Sequence, residues 1–317
     1  MKKIISLTAI MLLITAAVFS QTTVKKSFTG IKRIKISTSS GSCEIRKSSG
    51  NAVELELSHS FDERSFTPRI EQSGDRLDLG EEFMGRNFNG SVRWKLSVPD
   101  GLRVTFNTGS GGLTVDGVNI DLQAGSGSGD LEFSTVKGTV EATTGSGNVE
   151  IADFNGEARM NTGSGGMMVT NSEGDLDLNC GSGTIRINQA KGALSVNTGS
   201  GNVNADKITI TSSSRFNTGS GRAKVTLAAT PKFDISVNSG SGDAELNFNG
   251  NEIVGEVIMK SSKRHGNISA PFSFDKSEEI EQGRGDDNVT IVKTAQRGKG
   301  TNRIVVGTGS GDAILRQ

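Results

Sequence analysis

The sequence predicts an all-β chain: a single-chain parallel β-solenoid of 18-residue coils, with irregular coils at both ends. Three observations carry this. The tripeptide Gly-Ser-Gly returns on a fixed beat, starting at Gly109, Gly127, Gly145, Gly163, Gly181 and Gly199, each 18 residues after the last. A fixed period near 20 residues marks a stacked repeat. Two short runs of alternating apolar and polar residues fill each unit, and period-two alternation is a half-buried strand. Finally, the apolar positions fall into columns one period apart. Leu122, Val140, Ala158, Leu176 and Leu194 form one, and Leu131, Val149, Met167, Ile185 and Val203 another. One coil cannot bury its own apolar face, but coils stacked ~4.8 Å apart share a continuous core. Antiparallel hairpins would not make matching residues recur at this interval.

The turn repeats as well. Asn161, Asn179 and Asn197 each stand two residues before a Gly-Ser-Gly, with Asn217 in a looser copy. Glycine is expected to supply the positive φ of a tight turn. The asparagines are expected to hydrogen-bond to their copies above and below, as in the amide ladders of cross-β stacks. Gly109, Gly127, Gly145, Gly163, Gly181, Gly199, Asn161, Asn179 and Asn197 are therefore assigned to turn architecture rather than to a ligand.

Composition agrees with an elongated body. The 317 residues include 42 Gly and only 4 Pro, with a formal net charge of zero. Balanced charge argues against a nucleic-acid binder, which usually carries a basic face. Cys43 and Cys180 lie 137 residues apart, about seven coils or ~30 Å at ordinary strand spacing. A disulfide needs Cα atoms within ~7 Å, so both are expected to be unpaired. No catalytic, cofactor or metal motif stands out.

Taken in order, residues 1–20 read as a secretory signal peptide, with Lys2 and Lys3 before the apolar run Ile4 to Phe19. The apolar run is short for a membrane span, which needs ~20 residues. The mature chain is expected to be exported to the periplasm, the cell surface or the exterior, with no transmembrane segment. Residues 21–106 carry strands without the beat. They read as an irregular opening cap, within which Ser40 to Ile45 looks like a degenerate turn and strand. Residues 107–249 are the regular repeats. From Gly199 the beat stretches, which assigns protruding loops to Lys207–Ser214 and Ala228–Lys232. Residues 250–317 read as irregular closing coils. There His265-Gly266-Asn267-Ile268 looks like a worn turn, and Arg303–Val306 and Ala313–Leu315 close the chain as strands.

The exported irregular opening, the Val98-Pro99-Asp100-Gly101 junction and the Thr-Gly-Ser-Gly-x-apolar-x-apolar repeats together resemble the bacterial putative-adhesin family of β-strand repeats, a domain of unknown function. They are also similar to the head domain of auto-transporter adhesins. The resemblance covers about residues 28–317. It implies a right-handed parallel β-helix at the cell envelope and carries no catalytic motif.

Three functions compete. A non-catalytic, adhesin-like binding or scaffolding protein would present the long flat faces of the solenoid to a glycan or an envelope protein. A polysaccharide-active enzyme would need paired carboxylates on one face. Glu132 and Glu150, adjacent in one outward column, are the candidate pair, with Glu141 on the other face. A calcium-binding β-roll also repeats every 18 residues, and Asp130, Asp243 and Asp312 directly follow a Gly-Ser-Gly. Other units put Gly, Asn, Thr or Arg there, which a carboxylate cage does not accommodate. The first reading is adopted.

Overall fold

Alternation drives one set of side chains inward. Leu113, Leu131, Val149, Met167, Ile185 and Val203 are buried, while Thr114, Glu132, Glu150, Met168, Arg186 and Asn204 between them face out. A computed structural model describes residues 21–62, 64–84, 90–281 and 289–317. The expected leader, residues 1–20, lies outside them. The described residues hold 28 strands and no helix.

The strands stack in two ladders. The first runs in parallel register through Leu102–Thr108, Asn119–Ser126, Lys137–Thr144, Asn155–Thr162, the second half of Met167–Cys180, Leu194–Thr198, Ser214–Thr218 and Ile235–Ser239. The second runs through Leu113–Asp116, Leu131–Ser134, Val149–Ala152, the first half of Met167–Cys180, Ile185–Gly192, Val203–Ile210, Ala223–Leu227 and Ala244–Asn247. Because Met167–Cys180 belongs to both ladders, all the strands join into one long, largely parallel sheet. This is the all-β parallel solenoid that the repeat predicts. Fully buried Phe106, Phe133, Phe154, Phe216 and Phe248 fill its interior.

Both ends depart from chain order. The coil of Arg33–Thr38 and Ser42–Lys47 lies between that of Arg76–Phe83 and Val92–Val98 and that of Leu102–Thr108 and Leu113–Asp116. At the other end, Arg303–Thr308 and Ala313–Arg316 are inserted between Ile235–Ser239 with Ala244–Asn247 and Gly255–Ser262 with Ile268–Ser269. Residues 303–316 thus form strands but do not terminate the stack. The Gly-Ser-Gly at Gly309 sits on that at Gly240, and the worn turn at Gly266 sits on Gly311. Antiparallel strands finish each end. Val53–His59 and Thr22–Phe28 follow Val92–Val98, and Phe66–Ser73 follows Arg76–Phe83. Val289–Arg297 and Lys276–Glu281 follow Gly255–Ser262.

Three expectations need correction. None of Gly109, Gly127, Gly145, Gly163, Gly181 and Gly199 has a positive φ. Glycine is required there by close approach: a Cβ on Gly145 would stand 2.5 Å from the Gly127 carbonyl oxygen of the preceding coil. Positive φ belongs to the opposite corner, at Thr135, Asp153, Asn171, Gln189 and Lys207 (φ 54°, 51°, 47°, 62° and 54°). The second correction concerns Lys207–Ile210, which is strand rather than loop and pairs with the preceding coil, so the extra residues sit at 211–213. The third concerns the cysteines. The register steps Cys43, Leu113, Leu131, Val149, Met167, Ile185 place Cys180 about five coils from Cys43, not seven, because the opening hairpins stack on Cys43's outer side. Both cysteines are buried and free.

Candidate functional site

Each turn is built around a buried hydroxyl. Thr144 Oγ1 accepts the Gly147 N–H at 3.1 Å and donates to the Gly129 carbonyl of the previous coil at 3.2 Å. Ser126, Thr162, Thr198, Thr218, Ser239 and Thr308 repeat the pattern. Cys180 stands in the same column. Its Sγ accepts the Gly183 N–H at 3.0 Å and lies 3.3 Å from the Gly165 carbonyl oxygen. Burial raises the thiol pKa of Cys43 well above its ordinary value, which disfavours the reactive thiolate.

The asparagines form a chain of amide bonds. Asn179 Nδ2 donates to Asn161 Oδ1 at 3.3 Å, Asn197 to Asn179 at 3.1 Å, Asn217 to Asn197 at 3.0 Å and Asn238 to Asn217 at 3.0 Å. The aspartates considered for calcium bond backbone instead. Asp130 Oδ1 accepts the Asn148 N–H at 2.7 Å, Asp243 that of Asp312 at 3.0 Å, and Asp312 that of Asn267 at 2.9 Å. Asn148 and Asn202 do the same for Gly166 and Arg222. The residue after Gly-Ser-Gly is thus a coil-to-coil acceptor, which explains why both Asp and Asn occur there. Among the described residues no cluster of three His, Cys, Asp or Glu is arranged to hold a metal ion.

Glu132 and Glu150 are register partners on adjacent strands of the second ladder, beside exposed Met168. They border a recess of only about 180 Å³. Glu141 lies on the first ladder, so the three carboxylates do not meet.

A groove of about 850 Å³ runs along the outer face of the first ladder, from Thr139 to Val305. It crosses the register column Glu141, Arg159, Asp177, Ser195, Arg215, Ser236, Val305. Six steps of ~4.8 Å make it about 29 Å long. Its floor drops where the outward side chains shrink, at Ala193, Ser195, Ser213 and Ser236. Ion pairs line it towards both ends. At one, Arg159 Nε pairs with Asp177 Oδ2 at 3.4 Å, and Asp177 Oδ1 also accepts from Asn179 at 3.0 Å. At the other, Asp234 Oδ1 accepts the Arg303 N–H at 2.7 Å, and Arg303 Nε pairs with Glu256 at 3.2 Å. Among the described residues Glu157 and Arg215, both lining the groove, have no ion-pair partner. The sequence reading missed this groove because it aligned the inward columns of this ladder and not the outward one. The shrinkage at Ala193, Ser195 and Ser213 was there to be read.

A separate cluster fastens the second ladder. Glu245, 4% exposed, faces Arg316 at 3.1 Å, Arg222 at 3.5 Å and Lys224 at 3.8 Å. No helix among the described residues is long and apolar enough to cross a membrane.

Several solved structures are similar to this chain. A putative lipid binding protein from Parabacteroides distasonis is 16% identical, with a TM-score of 0.46 over 94% of this chain and 96% of that one. A putative cell adhesion protein from Clostridium sporogenes is 16% identical, with a TM-score of 0.23 over 94% and 100%. A putative adhesin from Bacteroides fragilis is 11% identical, with a TM-score of 0.35 over 94% and 97%. No curated protein matches. The family model for Toastrack DUF4097 matches residues 31–270, most of the repeat array and the opening coils, and the chain belongs to that family.

Proposed function

We propose that this protein is a non-catalytic, exported envelope or surface protein that binds an extended polar partner, a glycan strand or a segment of an envelope protein. The groove on the first ladder carries this reading. It is long, open and floored by small side chains, with an unpaired carboxylate at Glu157 and an unpaired guanidinium at Arg215. They lie three strand steps apart along the stack, about 14 Å, and two residues out of register along the strand. Such spacing suits a linear ligand that lies along the stack and meets both charges. The leader-like residues 1–20 support export.

The test is a panel of bacterial and host polysaccharides presented to the purified protein, reading retention and release of new reducing ends. Retention that is lost in Ala193→Trp, which fills the floor, and weakened in Arg215→Glu is the expected result. Unimpaired retention in both variants would remove the groove from the account. Cleavage that disappears in Glu150→Gln would move the function to the Glu132 and Glu150 pair.

A further inference from the structure

Among the described residues the ends of the stack expose four outermost strands, and they are not equivalent. Phe66–Ser73 carries Pro68, which has no N–H to offer a new neighbour. Ile268–Ser269 is two residues long. The other two, Thr22–Phe28 and Lys276–Glu281, pair on one side only among the described residues. They lie at opposite ends of the molecule and have opposite charge. Thr22–Phe28 reads Thr-Thr-Val-Lys-Lys-Ser-Phe, and Lys276–Glu281 reads Lys-Ser-Glu-Glu-Ile-Glu.

We infer that copies of this chain associate head to tail, Lys276–Glu281 of one copy pairing antiparallel with Thr22–Phe28 of the next. One register matches at the four central positions. Glu278 meets Lys26 and Glu279 meets Lys25, Ser277 meets Ser27, and Ile280 meets Val24. Lys276 then falls opposite Phe28, and Glu281 opposite Thr23. Alternation keeps the apolar members together. Ile280, 45% exposed, lands on the face of Val24 and Phe28, which are only partly buried against the core. An edge strand directs every second N–H and C=O outward, so this pairing continues the sheet across the junction.

Self-pairing is disfavoured at the basic edge, where Thr22–Phe28 against its own copy sets lysine opposite lysine. Lys276–Glu281 against its own copy sets Glu278 opposite Glu279 while Lys276 meets Glu281, which gains nothing from charge. Like charges directly opposite are destabilising. The charges already have partners within one molecule: Lys25 with Glu56 at 2.9 Å, Lys276 with Glu278 at 2.5 Å and Lys263 with Glu279 at 2.7 Å. These are exposed pairs of small worth, and they do not hold the edges closed. A contact between two different surfaces does not close on itself as a two-fold dimer, so it builds open chains or rings.

The experiment uses two charge-reversal variants of the purified protein, Glu278→Lys with Glu279→Lys and Lys25→Glu with Lys26→Glu, followed by sedimentation over a range of concentrations. All four side chains are exposed, and circular dichroism checks that each variant keeps its fold. The wild type should form concentration-dependent oligomers, and each variant alone should associate at least about tenfold more weakly. Mixing the two variants should restore assembly, because each then meets an edge of opposite charge at both ends. A wild type that stays monomeric at its highest soluble concentration overturns the inference. So does association that survives either reversal, or a mixture no better than its components.

Discussion

Asn197 donates its side-chain amide to the Asn179 carbonyl one coil away, at 3.1 Å, and Asn179 passes the same bond to Asn161 at 3.3 Å. Asn179 is thus both donor and acceptor in a ladder that lies half-buried beside the groove. Asn179→Ala should cost about 1 kcal/mol, since one amide and one carbonyl lose their partners where water still reaches them. Asn179→Asp should cost more at neutral pH, because it sets a second carboxylate beside Asp177. Urea unfolding of the two variants at pH 7 checks the order, and equal stability would show that the ladder adds nothing.

The turn glycines make a sharper test, because close approach and φ predict different sites. A Cβ on Gly165 would stand 1.8 Å from the Gly147 carbonyl oxygen, and backbone on both sides cannot yield cheaply. Gly165→Ala should destabilise by about 2 kcal/mol, in the range of overpacked cores. Gly50 has nothing within 4 Å and no positive φ, so Gly50→Ala should stay within ~0.5 kcal/mol of wild type. Thermal unfolding of the pair separates crowding from any general intolerance of alanine.

The inward columns were legible because burial imposes a period on residue type. Leu131, Val149, Met167, Ile185 and Val203 all fall in register on the second ladder, where the spacing put them. The order of coils at the ends was not legible. A Thr-Gly-Ser-Gly unit states that it can stack on another unit, not which one, so Gly309 could be read as last when it sits between Gly240 and Gly266. Thr22–Phe28 was missed because it shows only Val24 and Phe28 as apolar residues, too few to reveal a period. The corner at Asp153 and Asn171 was missed because φ leaves little mark on composition when side chains as different as Thr, Gln and Lys share the position. The groove depends on what is small among outward residues, whereas the periodicity argument registers what is apolar among inward ones.

Cys180 takes the place of a hydroxyl in a column otherwise held by Thr and Ser. Its sulfur meets the same two backbone groups, the Gly183 N–H and the Gly165 carbonyl, through weaker bonds. Cys180→Thr should therefore be neutral or stabilising by up to about 1 kcal/mol. Cys180→Val keeps the shape but strands both partners, and should cost about 1–3 kcal/mol. Guanidinium unfolding under reducing conditions gives both values, and a Val variant as stable as the Thr variant would contradict the role of the column.

Asp100 closes the turn after Val92–Val98. Its carboxylate takes the Lys47 ammonium at 2.5 Å and the Asn119 N–H at 2.9 Å. The Lys47 hydrogen bond, then the backbone bond, hold its pKa below the usual aspartate range. A lowered folded pKa means that this contribution is present at neutral pH and is lost as pH falls through the folded value, which lies below that of an ordinary aspartate. Asp100→Asn can still accept from Asn119 but loses the charge on Lys47. The stability gap between wild type and Asp100→Asn should be open at pH 7 and close once acid protonates Asp100 in the folded protein, and salt should narrow it at neutral pH. A gap that persists in acid would assign the effect to packing instead.

The last coil makes the strongest claim about how the chain is held together. Arg303–Thr308 and Ala313–Arg316 lie inside the stack, with Ile304 and Val306 fully buried between Ile235 and Val237 on one side and Val257 and Met259 on the other. Arg316 also reaches the buried carboxylate of Glu245 on the neighbouring coil. Among the described residues, 251–302 make no parallel strand pairing with the regular repeats: hydrogen bonds such as Thr230 to the Glu252 carbonyl and Asn302 to the Pro231 carbonyl touch them, but the strands pair with the coil that follows in sequence. A chain ending at residue 302 keeps its closing strands but lacks the coil they pair with. A chain ending at residue 250 loses both and presents one clean coil edge. The chain ending at residue 302 should expose residues 251–302 to limited proteolysis, while both shortened chains keep the repeats up to Asn247 resistant. If residues 251–302 stay protected without residues 303–317, the inserted coil is not what anchors this end.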